Sequence, residues 1–312
     1  MRNNLFKGGF SNGMNIIGRK KLYFLISFVL IIPGLFSLYF YGLNLSIEFT
    51  GGSRISLSYP KNVSEGQIGQ IRKSFEEKNV KVSSVEKSDN LIFVRTSPID
   101  QKIYDSFVKE ILAKNPAVKS ESFETVGPTI GAEITQNAIK AIILASILVV
   151  VYISFVFRTV PKPASSVRFG VSTVAALLHD ILVVLGVFSI FGHFLNVEID
   201  SLFITAMLTI IGFSVHDTIV VFDRIRENLP KGEGSFSKIV NDSINQTLAR
   251  SLNTSLTVLL VLFAMLLFGG ESIKWFVVAL LIGVASGTYS SIFNAAPILV
   301  VWHEWSQKRA RS

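Results

Sequence analysis

Six apolar runs dominate the chain, one ahead of residue 44 and five beyond residue 137, with a polar stretch of different periodicity between them. The first, Leu22 to Tyr41, follows the basic cluster Arg19, Lys20 and Lys21. A bilayer core needs about 20 residues of helix, and this run supplies them. A secretory leader has a shorter apolar region and a small-residue cleavage site. The run is too long for that and leads into Tyr39, Tyr41 and Leu43, so it reads as a retained helix with a cytoplasmic N-terminus. The other five runs lie at about 138–157, 168–191, 199–222, 251–268 and 273–301.

Residues 44–137 follow other periods. Arg54 to Ser58 alternates like a half-buried strand. Ser64 to Lys78 sets Ile68, Ile71 and Phe75 at helical spacing behind Ser64 as N-cap. Val80 to Glu86 and Leu91 to Thr96 predict two strands around a turn at 88–90. Asp100 to Lys114 places Ile103, Phe107 and Ile111 on one helical face, and Ser120 to Val126 predicts a last strand. The order βαββαβ is the ferredoxin-like arrangement. The fold class is therefore a polytopic α-helical membrane protein: six transmembrane helices and one ferredoxin-like α+β periplasmic domain. The expected divisions are a cytoplasmic N-terminus over 1–21, the first transmembrane helix over 22–43 and the periplasmic domain over 44–137. Helices two to six then occupy 138–301, and a cytoplasmic tail 302–312.

Composition agrees. Hydrophobic residues make up 49% of the 312 and charged residues 17%, against a usual charged share of about 25%. The net charge of +8 could suggest nucleic acid, but its placement argues otherwise. Arg158, Lys162 and Arg168 follow the second span. Arg224, Arg226, Lys231, Lys238 and Arg250 follow the fourth, and Lys308, Arg309 and Arg311 close the chain. The alternate loops are poor in base: 192–198 has no Lys or Arg, and 269–274 has only Lys274. Basic residues gathered on the cytoplasmic side fix the count and orientation of the spans. Cysteine is absent, so disulfides and thiolate metal sites are excluded. Gly283 and Gly287 form a GxxxG pair in the last span, and Gly212 with Ser214 thins the fourth, which marks close helix packing.

Two acids interrupt the apolar runs. Asp180 lies near the middle of the third span, and Asp217 in the inner half of the fourth. A carboxylate at the bilayer centre costs roughly 2.5–3.5 kcal/mol on insertion scales, so it faces the bundle interior, finds a partner or titrates. A structural role, bridging helices through neighbouring hydroxyls, is the simpler account; it weighs more for Asp180 than for Asp217, where polar neighbours converge. Arg250 opens the fifth span ahead of Asn253, Thr254 and Ser255. An Arg there is ordinarily a snorkelling anchor, although the spacing also permits a pairing with Asp217. His179 and His216 precede the two acids, but adjacent helical residues point about 100° apart. Each is expected to pack between helices. No Walker, HExxH, nucleophile-elbow or dinucleotide motif is present in a suitable setting, so no enzyme activity, cofactor or metal is expected.

Phe49-Thr50-Gly51-Gly52, Val126-Gly127-Pro128 and the run from Asp217 to Asn228 together resemble the SecF family. This family forms the smaller subunit of the SecDF protein-export complex within the resistance-nodulation-division superfamily, and the likeness runs from about residue 15 to 305. The resemblance implies a pseudo-symmetric partner, SecD, and association with the SecYEG translocon, YajC and a translocating preprotein. It implies a multi-pass protein of the cytoplasmic (inner) membrane, both termini cytoplasmic, that uses the proton motive force to promote the late stages of preprotein export. It also implies that Asp217 carries the proton and that Arg250 is its basic partner, with Asp180 at a family position of less defined role. Phe49, Thr50, Gly51 and Gly52 are expected to be a hinge. The family's larger substrate-gripping domain belongs to SecD and has no counterpart here. A small-molecule or lipid exporter of the same superfamily, and a purely structural assembly subunit, are the alternatives. Sodium could take the proton's place.

Overall fold

In the computed structural model, residues 13–60, 65–88, 90–161 and 164–311 are described. The chain divides into two units: a sheet domain of Leu45–Lys140 with Glu198–Ser201, and a helical unit made of the rest.

The sheet domain opens with a single turn, α2 (Ile47–Thr50), which follows α1 (Lys20–Phe40) of the helical unit. Ser46 caps it by accepting from Glu48 N–H. Then come β1 (Gly52–Ser58), α3 (Glu65–Glu76), β2 (Val82–Ser88), β3 (Leu91–Thr96), α4 (Gln101–Lys114) and β4 (Lys119–Val126). The βαββαβ order is the expected one, and the four strands run antiparallel in the order β2-β3-β1-β4. Strand boundaries move by a residue or two, as end effects do. The Ser64 cap, and Asp89 in the turn at 88–90, lie outside the described residues. Asp100 caps α4 through Ile103 N–H at 2.9 Å. Alternation puts Ile55, Leu57, Ile92 and Val94 on the face beneath α3 and α4, where Phe75 and Phe107 stack 3.8 Å apart. The opposite face carries Arg54, Ser56, Phe93 and Arg95, a polar row with one ring in it.

The helical unit holds α1 and the long helices α5 (Pro128–Val156, shared with the sheet domain), α6 (Ser166–Leu195), α7 (Ser201–Asn228) and α8 (Phe236–Phe268). The sixth span is α9 (Glu271–Ser290), a π turn over Ser291–Ala295 and α10 (Ala296–Arg311). Among the described residues, six helices are long and apolar enough to cross a membrane.

The helix that contains the apolar run 251–268 starts well before it: α8 begins at Phe236, capped by Ser235. Its first turns bury Phe236, Ile239, Val240 and Ile244 on one stripe, which the charged residues between them conceal from a search for unbroken apolar runs. At the other end of the chain, α10 continues through the expected tail to Arg311. Backbones approach most closely where α1 crosses α6: a Cβ on Gly34 would lie 2.7 Å from Gly186 Cα. Gly283 packs on Ile210 and Gly287 on Ser214, whereas a side chain at Gly212 would meet open space, so the GxxxG pair and not Gly212 marks the contact with α9.

Candidate ion-coupling site

The two intramembrane acids sit in the helical unit at opposite extremes of satisfaction. Asp180, on α6, is fully buried. Its Oδ2 accepts from Ser214 of α7 at 2.6 Å and from Ser290 of α9 at 2.7 Å. Its Oδ1 accepts from Ser286 at 2.7 Å, and His179 Nδ1 lies 3.0 Å from it. Ser286 and Ser290 stand one turn apart, so both face α6 from one side of α9. A carboxylate with this many donors is well solvated by protein.

Asp217, on α7, is only 1% exposed, yet its carboxylate accepts one hydroxyl, that of Ser255 on α8 at 3.2 Å. Thr288 of α9 supports that hydroxyl by donating to Ser255 Oγ at 2.6 Å. His216 Nδ1 is 3.9 Å from the other carboxylate oxygen. Polar groups therefore converge on Asp180 more than on Asp217, the reverse of the sequence expectation. Ser214 turns to Asp180, while Thr218 donates to Ser214 O and pairs with Ser291. Among the described residues, neither hydroxyl bonds the Asp217 carboxylate.

Arg250 is not beside Asp217. It is exposed and makes no ion pair among the described residues. The residue that meets Asp217 is Ser255, and five positions along a helix turn the side chain by about 140°. Ser251, four before Ser255, takes the inward place and is buried. The histidines also part company. His179 packs inside, with Nε2 unpartnered among the described residues, whereas the His216 side chain is 65% exposed and does not pack between helices.

Within the sheet domain, Phe49-Thr50-Gly51-Gly52 forms a tightly packed turn. Gly51 has φ +70° and Gly52 φ +128°, both readily open to glycine. A Cβ on Gly51 would stand 2.9 Å from Pro128 Cα, and one on Gly52 2.8 Å from Thr96 O. Phe49 O accepts from Thr135, and Thr50 Oγ1 donates to Ser46 O.

Residues 107–305 match the family described as protein export membrane protein SecD/SecF, C-terminal, and residues 36–62 match the SecD/SecF GG motif. A protein translocase subunit SecF from Thermobaculum terrenum is 44% identical over 303 residues, covering 93% of this chain and 94% of that one. The chain belongs to the SecF family. As a SecF-family chain it is a multi-pass membrane protein and a protein translocase subunit. The SecDF protein of Bacillus subtilis is 36% identical, covering 91% of this chain but 37% of its own length. A crystal structure of SecDF from Thermus thermophilus, titled a translocon-associated membrane protein, superposes with a TM-score of 0.80 at 31% identity; it covers 94% of this chain and 39% of that one. The matched segment 107–305 of this SecF-family chain holds Asp180, Asp217 and Arg250, and the GG match holds Phe49 to Gly52.

Sequence reasoning missed the α9 hydroxyls. Ser286, Thr288, Ser290 and Ser291 stand in one short run inside an apolar span, a signal as visible as Gly287 among them. Glu198 was missed too; its loop drew notice only for lacking positive charge.

Proposed function

We propose that this chain is an ion-driven, non-enzymatic motor subunit that works with SecD to promote the late stages of preprotein export across the cytoplasmic (inner) membrane. Asp217 is the proton carrier. The observation that supports this reading is its buried carboxylate, which holds the Ser255 hydroxyl at 3.2 Å where Asp180 holds three hydroxyls, and so has fewer hydrogen bonds to rearrange when it takes up a proton. Asp180, with four partners, joins α6, α7 and α9 as the fixed part of the same coupling centre.

SecD covers a polar stripe that lipid would not tolerate. Thr205, Thr209, Gly212 and His216 are exposed along α7, and Arg250, Asn253, Thr254 and Thr257 along α8. Polar groups facing hydrocarbon are costly, whereas the same groups hydrogen-bond well across a helix interface. Arg250 then serves as a basic partner at that interface with SecD in place. The packed turn at Phe49, Thr50, Gly51 and Gly52 is the hinge that passes rearrangement of the spans to the external sheet domain. SecYEG and YajC complete the assembly, and both termini of this chain are cytoplasmic.

Export of a secreted reporter, in cells whose only copy carries Asp217→Asn at matched membrane levels, tests the carrier. Asn keeps volume and most hydrogen bonding. Export at the level of a deletion strain is expected; normal export would make Asp217 structural and end the motor reading.

A further inference from the structure

The connection between α6 and α7 does not run free. Glu198–Ser201 groups with the sheet domain and not with the helices it joins. Leu45 and Ile199 form a parallel β bridge, beside which Ser46 N–H donates to Ile199 O at 2.9 Å. Ser201, the first residue of α7, donates its N–H to Glu48 Oε2 at 2.7 Å. A side chain of α2 thus caps the helix that carries Asp217, and a carboxylate suits the positive end of that helix.

Glu198 makes the strongest link. It pairs with Arg95 on β3, and Arg54 on β1 lies 3.6 Å from its second oxygen. Arg95 also donates to Leu45 O at 3.4 Å, so it reaches both strands of the bridge. The Glu198 and Arg95 side chains are 15% and 13% exposed, and a pair so far from water is poorly screened and disruptive to break from one side. The αβ core lies on the other face of the sheet.

We infer that Glu198 is a positioning residue, the pin of a strut that ties the start of α7 to the sheet domain. Movement of α7 as Asp217 changes state then reaches the sheet through residues 198–201 as well as through the segment after α1. The strut acts closed. This rests on the motor reading above, and predicts that weakening the pin uncouples the domain while locking it does not.

The experiment is reporter export by the full chain as sole copy, with membrane levels matched. Glu198→Gln keeps volume and removes the charge; it is expected to lower export at least about five-fold, the scale of losing one partner of a desolvated ion pair. Trypsin resistance of the αβ core, on the other face of the sheet, should be kept, whereas a merely structural role would make the whole domain digestible. Glu198→Asp keeps the negative charge between Arg95 and Arg54 and should hold export to within about two-fold of the parent, since the ion pair is what is required. Because the chain has no cysteine, Leu45→Cys with Ile199→Cys gives one defined disulfide across the bridge, and export should survive its oxidation. Normal export by Glu198→Gln beside an inactive Asp217→Asn overturns the strut alone. Export that stops on oxidation and returns with reductant also overturns it, because the bridge would then have to open. Normal export by Asp217→Asn fails the motor reading, and the strut inference with it.

Discussion

At the scale of single residues, the two acids differ in how many donors they hold, and that difference orders the expected mutational effects. Ser290→Ala takes one of the donors from Asp180 and should cost about 1–2 kcal/mol, the upper range for a buried hydrogen bond among membrane helices. The measurement is the thermal midpoint of the purified chain in detergent. Ser255→Ala removes the hydroxyl bonded to Asp217 and should change export more than stability, because Thr288, losing Ser255 as acceptor, still has Val284 O to donate to. Measured together on the two variants, midpoint and export should move in opposite order. Arg250 gives a further contrast. Exposed and unpaired among the described residues, Arg250→Gln should leave the midpoint of the isolated chain within about 0.5 kcal/mol. If that substitution unfolds the isolated chain, the proposed partner across the interface is not what Arg250 serves.

At the scale of elements, glycine sets how closely the helices and the root of the sheet can pack. Gly34→Leu would drive a side chain into the Gly186 backbone, and overpacking of this kind costs about 1–3 kcal/mol, to be read from the thermal midpoint. Gly51→Ala meets both a positive φ and Pro128, so the sheet domain should become more sensitive to protease. Such contacts also show what the sequence could convey. Alternation in β1 and β3, and helical spacing in α3 and α4, announce the sheet domain because each element turns one face to one core. Asp180 and Asp217 announce themselves as acids in apolar runs. The Arg250 pairing was not legible, since it depends on the rotational phase of α8 against α7, and spacing within one helix carries no information about its neighbour. The start of α8 was hidden for a related reason: its buried stripe is interrupted by charges on the outer face.

Across the whole molecule, the sheet domain carries its own pH dependence, separate from the intramembrane acids. Lys114, Ser74 and Lys78 bond the Glu110 carboxylate and hold it at about 2, well below the ordinary value for glutamate. The group binds a proton more readily when unfolded, so its contribution to stability is full above the unfolded value and is lost as pH falls toward about 2. Protease resistance of the sheet domain should therefore decline on acidification below about pH 4.5, and Glu110→Gln should flatten that decline. The near-neutral range in which an ion-driven motor works lies above this window. Changes in export across neutral pH would accordingly belong to the spans and not to Glu110.

The π turn at Ser291–Ala295 makes the last span two helices out of phase with each other. Ahead of it, Ser286 and Ser290 are aligned on Asp180; after it, Glu304 is aligned on Lys20 and His303 on Arg168. Five residues of a π turn cover about the rotation of four in an α-helix, so deleting one residue would heal the turn and leave everything beyond it in place. Both alignments would survive. Winding all five residues into ordinary α-helix would instead swing the part beyond by about 100°, and the two alignments could not then both hold. When homologous chains are aligned, a one-residue gap inside 291–295 marks a relative whose last span is unbroken α-helix with the same contacts on either side.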